Sequence, residues 1–177
     1  MFVRDVITRV IVIERQEVPL GSGPRRGCRM SSVSVLVVED YEPFRRLICS
    51  TLGKRPELQI VGQASDGLQA VQKAQELQPN LILLDVGLPT LNGIEAARRI
   101  SRLVPAAKVL FVSQNNDADV VRAALSNGAK GYVRKENALT DLLPAVVAVL
   151  RGDGFVSRGL HTEELPQAKP QYVAGRI

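Results

Sequence analysis

Asn80-Leu-Ile-Leu-Leu-Asp-Val-Gly-Leu-Pro89 is the stretch on which the reading of this chain turns. The apolar run Leu81 to Leu84 is too brief for a helix and is flanked by Pro79 and Pro89, which predicts a short strand buried on both faces. It ends on a carboxylate. Asp85 then lies in the crevice outside the carboxyl ends of the strands, where open α/β sheets place their chemistry. Upstream, Val33-Ser-Val-Leu-Val-Val38 is a second apolar run, closed by Glu39 and Asp40. Three acids delivered to one rim repel one another unless something positive lies between them.

Outward from these two strands, short apolar runs alternate with helical patterns. Pro43 suits a first helical turn, and Phe44, Leu47, Ile48 and Leu52 follow at helical spacing up to Gly53. Leu58 to Val61 reads as a second strand. Gly67 opens a helix with Leu68, Val71, Ala74 and Leu77 on one face, and after Asp85 another helix carries Ile94, Ala97 and Ile100 towards Pro105. Lys108 to Val112 is a fourth strand ending on Ser113. A helix from Asp117 to Ser126 closes on Asn127-Gly128, residues that tolerate a left-handed cap. Gly131 to Val133 is a fifth strand, and Leu139 to Leu150 forms a last amphipathic helix. The pattern is (βα)5, a five-stranded parallel sheet with right-handed crossovers and the doubly wound order 2-1-3-4-5. The switch point between strands 1 and 3 then receives Glu39, Asp40 and Asp85, and the neighbouring strand ends carry Ser113 and Lys135.

The remaining composition narrows the function classes. At 177 residues and 45% hydrophobic content, the chain fits one domain with tails. Of the formal charge of +5, residues 1–30 supply +3, from six Arg against Asp5, Glu14 and Glu17, leaving 5 − 3 = +2 for the rest. Charge therefore does not argue for a nucleic-acid surface. Residues 1–30 are expected to be a loosely attached extension. Phe2 to Ile13 is too short and too interrupted by charge to span a bilayer, and Gly21 to Gly27 has linker composition. Cys28 and Cys49 lack ligand-type spacing and suit a reducing cytoplasm. His161, the only histidine, has no partner in the pattern.

In VLVVEDYEPFR, LILLDVGLPTLNGIEAARRI, VLFVSQNNDADVVRAALSNGAKGYVRKE and the terminal DLLPAVVAVLRGDGFVS, the chain resembles the receiver domains of two-component response regulators, which have a flavodoxin-like, chemotaxis-type fold. The resemblance covers residues 31–152. It implies that Asp85 is the phosphoacceptor, Glu39 and Asp40 the acidic pair, Ser113 the switch hydroxyl, Lys135 the family's lysine and Tyr132 the switch aromatic. It further implies Mg²⁺ as cofactor, held by Asp40, Asp85 and the backbone carbonyl of Gly87, with Glu39 acting through a water. The implied partner is a histidine kinase or phosphotransfer protein, in the cytoplasm. The implied output is partner binding or homodimerisation through the fourth helix, fifth strand and fifth helix, as Ser113 moves to the phosphoryl group and Tyr132 turns inward. The last helix and GDGFVS are similar to the subfamily that carries a C-terminal helix-turn-helix. Only 177 − 152 = 25 residues follow Gly152, too few for such a domain, so 153–177 is expected to be a mobile tail and direct nucleic-acid binding is not expected.

The residue types suit that chemistry. A carboxylate attacking phosphorus is repelled by the donor's charge until a cation intervenes, and Mg²⁺ prefers oxygen ligands at about 2.0–2.1 Å with retained waters. Duller readings exist for each residue alone: solvated loop acids, Ser113 as a helix cap, Lys135 as a surface lysine, Tyr132 as packing in an edge strand. Convergence at one rim is what separates the two. Two other functions compete, an inactive receiver serving as an interaction module and a phosphatase with an aspartate nucleophile. Such phosphatases place an acid/base Asp two residues after the nucleophile, where this chain has Gly87. Gln114 departs from the small residue that usually follows the switch hydroxyl in the resembled family.

Overall fold

The computed structural model describes residues 32–160; the expected extension at 1–30 and residues 161–177 of the expected tail, His161 included, lie outside them. Of the remainder of that expected tail, 153–160, Phe155 and Val156 join the sheet and Ser157 is buried. Six strands form one parallel sheet in the order β2-β1-β3-β4-β5-β6. In chain order these are β1 Val33–Val38, α1 Glu42–Gly53, β2 Leu58–Ala64, α2 Gly67–Leu77, β3 Leu81–Leu84, α3 Gly93–Leu103, β4 Lys108–Ser113 and α4 Ala118–Ser126. There follow β5 Gly131–Arg134, a single 3₁₀ turn Lys135–Asn137, α5 Ala138–Arg151 and β6 Phe155–Val156. The doubly wound order holds for the first five strands. The expected strand count does not, because Phe155 and Val156 pair in parallel with Gly131 and Tyr132 on the flank of β5 that a five-stranded sheet would leave open.

Each central strand feeds two cores, because successive side chains leave opposite faces of the pleat. Leu36, Val38, Ile82, Leu84, Val109, Phe111 and Tyr132 point towards Ala70 and Ala74 of α2, Ala97 and Ile100 of α3, and Val121 and Ala124 of α4. Val35, Val37, Leu81, Leu83, Leu110, Val112 and Val133 meet Ile48 and Leu52 of α1 and Leu142, Ala145, Val146 and Val149 of α5. All four residues of β3 are buried, as a strand covered on both faces requires. Burying each of its aliphatic side chains contributes about 2 kcal/mol, so the strand that ends on Asp85 is among the best anchored.

Helix starts are fixed locally. Asp66 accepts from the amides of Leu68 and Gln69, Asn92 from that of Glu95 and Asp117 from that of Asp119, which satisfies first-turn donors. Gly93 has a second role. A Cβ there would lie 1.9 Å from the carbonyl oxygen of Asp85, so α3 can butt against the acceptor loop only because residue 93 is glycine. No helix among the described residues is long and apolar enough to cross a membrane.

Candidate functional site

The β1, β3 and β5 termini bring four charged residues together. Glu39 follows β1 and is 1% exposed, Asp85 follows β3 and is 4% exposed, and Asp40 is exposed at the mouth. One carboxylate oxygen from each of the three lies within 4.8 Å of the others. Lys135, the residue after β5, reaches into this group: its Nζ is 2.7 Å from Asp85 Oδ2 and 2.8 and 2.7 Å from the two Glu39 oxygens. The Phe44 ring lies beneath the same ammonium, 5.0 Å from ring centre to Nζ, a cation–π contact supplied by the first turn of α1.

Burial acts against the charges gathered here. It pushes the Glu39 carboxyl above its ordinary value, an effect opposed by the hydrogen bond from Lys135 and reinforced by the Asp85 charge. For Lys135, burial alone would lower the pKa. The hydrogen bonds and charges of Asp85 and Glu39 together outweigh it and hold the ammonium above its usual value. One cation therefore faces three carboxylates.

This imbalance tests whether a divalent cation fits. Glu39 Oε2 is buried and close to the ammonium, yet it accepts no hydrogen bond. The available donors are all carboxylate oxygens, the hard set that Mg²⁺ prefers, and the trio still lacks positive charge after Lys135 is counted. The residues present fit. Gly87, expected to offer its carbonyl, stands in the same loop and donates its amide to Asp85 Oδ1 at 3.3 Å.

Ser113 and Tyr132 lie on the neighbouring strands. Ser113 ends β4, is buried, and its Oγ accepts the Asn115 amide at 3.3 Å, so it does close a local turn as a cap would. Tyr132 is fully buried and stacks obliquely on Phe111, with centroids 6.1 Å apart. Its hydroxyl donates to the Asn115 carbonyl at 2.7 Å, and burial raises its pKa. The ring expected to turn inward thus already stands inside. Nor is its strand an edge, since β6 flanks it.

Three contributors escape a reading of the sequence. Asn115 accepts the Tyr132 hydroxyl on its carbonyl and donates its backbone amide to Ser113 Oγ. Phe44 reads only as a residue on the core stripe of its helix. Arg45, which grips the backbone beneath the acids, carries no signal that sets it apart from the other arginines.

Known proteins of one family are similar to this chain. Residues 35–147 match the sequence model described as the response regulator receiver domain. The chain is 32% identical over 126 residues to the transcriptional regulatory protein DegU of Brevibacillus brevis, covering 71% of this chain and 53% of that protein. It is 35% identical over 125 residues to the response regulator GacA of Pseudomonas viridiflava, covering 71% and 58%. The chain thus spans little more than half the length of these relatives. Among solved structures, the receiver domain of the putative response regulator NarL from Mycobacterium tuberculosis superposes with a TM-score of 0.66 at 28% identity, covering 69% of this chain and 98% of that one.

Proposed function

The chain belongs to the response regulator receiver domain family, and on that premise we propose that it is a phosphoacceptor switch in which Asp85 takes a phosphoryl group and partner binding responds. The observation that carries the reading is the Lys135 ammonium shared between Glu39 and Asp85 at the carboxyl rim, with Asp40 alongside. Asp85 Oδ1 is the nucleophile. Its other oxygen is held by Lys135, and the Gly87 amide orients the attacking one, so the carboxylate is fixed before a donor arrives. Asp40, Asp85, the Gly87 carbonyl and, through water, Glu39 would hold Mg²⁺. When bound, the ion offsets the charge of the acids and of the incoming phosphate.

After transfer, Lys135 supplies a point charge to the phosphoryl oxygens and the Ser113 hydroxyl donates to another. Ser113 Oγ can accept the Asn115 amide and donate the hydroxyl proton to that oxygen at the same time. Asn115 also holds the Tyr132 hydroxyl, and Ser113 itself lies within hydrogen-bonding reach of that hydroxyl, so the serine, the loop and the aromatic ring meet at one point. A bias of a few kcal/mol at such a junction is enough to shift populations substantially. The output face comprises α4, β5 and α5, with β6 alongside. Its readers are a second copy or another protein, and the phosphoryl source is a histidine kinase or phosphotransfer protein. The domain acts as a switch in the cytoplasm rather than as an enzyme on an external substrate.

Acetyl phosphate with Mg²⁺ should label the wild-type chain and leave Asp85→Asn unlabelled. Undiminished labelling of that variant would overturn the assignment. Beryllofluoride should promote association through the output face, and Ser113→Ala should weaken this without preventing phosphorylation. Amide-exchange changes confined to the acceptor loop, with residues 117–151 silent, would exclude that route.

A further inference from the structure

Two of the three acids are held by their own side chains. Glu39 takes Lys135 and the Tyr41 amide, and Asp85 takes Lys135 and the Gly87 amide. Asp40 differs. It is exposed, and among the described residues its carboxylate takes no hydrogen bond or ion pair, so its place beside the other two depends on where the backbone puts it.

That backbone has just left the sheet. The ladder on this side ends with the Glu39 amide donating to the Ala64 carbonyl at 3.0 Å. Immediately beyond it, the guanidinium of Arg45 folds back from α1, and its Nη1 donates to the carbonyl of Glu39 at 2.5 Å and to that of Asp40 at 3.3 Å. The same residue's amide closes the first helical turn on the Tyr41 carbonyl at 3.0 Å. One side chain thereby ties the acid pair to the helix that follows it. A guanidinium keeps its charge at any working pH and presents its donors in a rigid plane, which suits it to hold two successive carbonyls.

We propose that Arg45 is a positioning residue for the metal site: by gripping the Glu39 and Asp40 carbonyls it keeps the Asp40 carboxylate beside those of Glu39 and Asp85, and so sets the affinity for Mg²⁺. The inference rests on the Mg²⁺ reading of the acid trio. It has a sign that a simpler role lacks. Acting through its charge alone, Arg45 would repel a cation and its removal would tighten binding. Acting through the two carbonyls, its removal frees Asp40 and weakens binding. A purely structural role would lower the melting temperature and leave the Mg²⁺ midpoint where it was.

The test is an Mg²⁺ titration of thermal stability on the full chain, for wild type, Arg45→Gln, Arg45→Ala and Arg45→Lys, with amide exchange of residues 40–42 measured without metal. Removing a group that orients a metal ligand typically costs 10-fold or more in affinity, so the Gln and Ala midpoints should rise by about 10-fold. Arg45→Lys, which keeps the charge but not the planar fork and guards against loss of folding, should fall between them and wild type. Exchange at residues 40–42 should quicken in the same order. A midpoint unchanged or lowered in Arg45→Gln and Arg45→Ala, with wild type responding to Mg²⁺, overturns the role of Arg45 alone. A wild type that does not respond at all overturns the metal reading and this inference with it.

Discussion

Replacing Lys135 with Met removes the ammonium and keeps most of the side-chain length. Glu39 and Asp85, 1% and 4% exposed, are then left facing each other with no cation between them. The Lys135 ammonium stands 2.7–2.8 Å from their oxygens, and the lysine side chain itself is 15% exposed, so this pairing is shielded from water and needs little discount for screening. Removing one partner of a buried ion pair costs about 3–5 kcal/mol. The lower end is expected here, since Asp40 opens the site to solvent on one side. A loss of about 3 kcal/mol corresponds to a melting temperature lower by roughly 10 °C for a domain of this size. The pH dependence carries the more pointed signature. Burial already raises the Glu39 pKa, and deleting Lys135 removes the hydrogen bond that opposes the rise. Between the unfolded and folded values the native state binds more protons, so stability increases as pH falls through that window. The variant should therefore recover much of its loss near pH 5, and Mg²⁺ should stabilise it more than it stabilises wild type. Urea unfolding at pH 7.5 and pH 5, with and without Mg²⁺, reads all of this. A loss below about 1 kcal/mol at pH 7.5, insensitive to both pH and metal, would refute the account of Lys135 as the counter-ion of a buried acid pair.

Two further outcomes follow from particular residues. Burial raises the Tyr132 pKa and Asp85 and Glu39 raise that of Lys135 against its own burial; both groups hold protons in the folded state that the unfolded chain releases, so stability should decline as pH rises past about 10, and Tyr132→Phe should flatten part of that decline while costing about 1 kcal/mol at neutral pH for the missing Asn115 bond; identical alkaline profiles for the two proteins would contradict it. Thr90, exposed in the acceptor loop, has φ +64°, a left-handed conformation that costs a β-branched residue about 1–2 kcal/mol, so Thr90→Gly should raise the urea midpoint by up to about 1 kcal/mol after the entropy of the unfolded glycine is counted, and a lower midpoint would show that Thr90 has a compensating role.

How much is legible in the sequence varies with the physical origin of each feature. Strands such as Leu81 to Leu84 announce themselves because burial on both faces demands an unbroken apolar run. The acids, Lys135 and Ser113 can be gathered because parallel strands bring their carboxyl ends to one rim whatever their separation along the chain. The sixth strand is not legible: Phe155–Val156 is two residues long, shows no periodicity, and exists because β5 offers an unpaired flank. Phe44 and Arg45 are hidden for another reason. Phe44 fits the α1 stripe and Arg45 is one arginine among many, yet Phe44 turns to the Lys135 ammonium and Arg45 to two carbonyls, contacts that depend on the loop between β1 and α1 and on nothing periodic. Pro144 would argue for a break within α5, but the helix runs through it with the ring on the exposed side.

The sixth strand also bears on crowding. An open sheet has two flanks, and a long flat flank invites another chain to add a strand, the first step of many aggregates. Here the β5 flank is finished by a strand of two residues, after which Ser157 is drawn down by hydrogen bonds to Asp141 and Arg134 and Gly159, at φ +84°, turns the backbone away. A foreign strand finds only that short ledge. The opposite flank, β2, is longer but has a register slip opposite Val35 and Leu36 and carries Gln59, Gly62 and Gln63. Copies of this domain are thereby steered away from zippering edge to edge, and meetings between them are left to the helical faces, where side chains rather than bare backbone decide who is recognised.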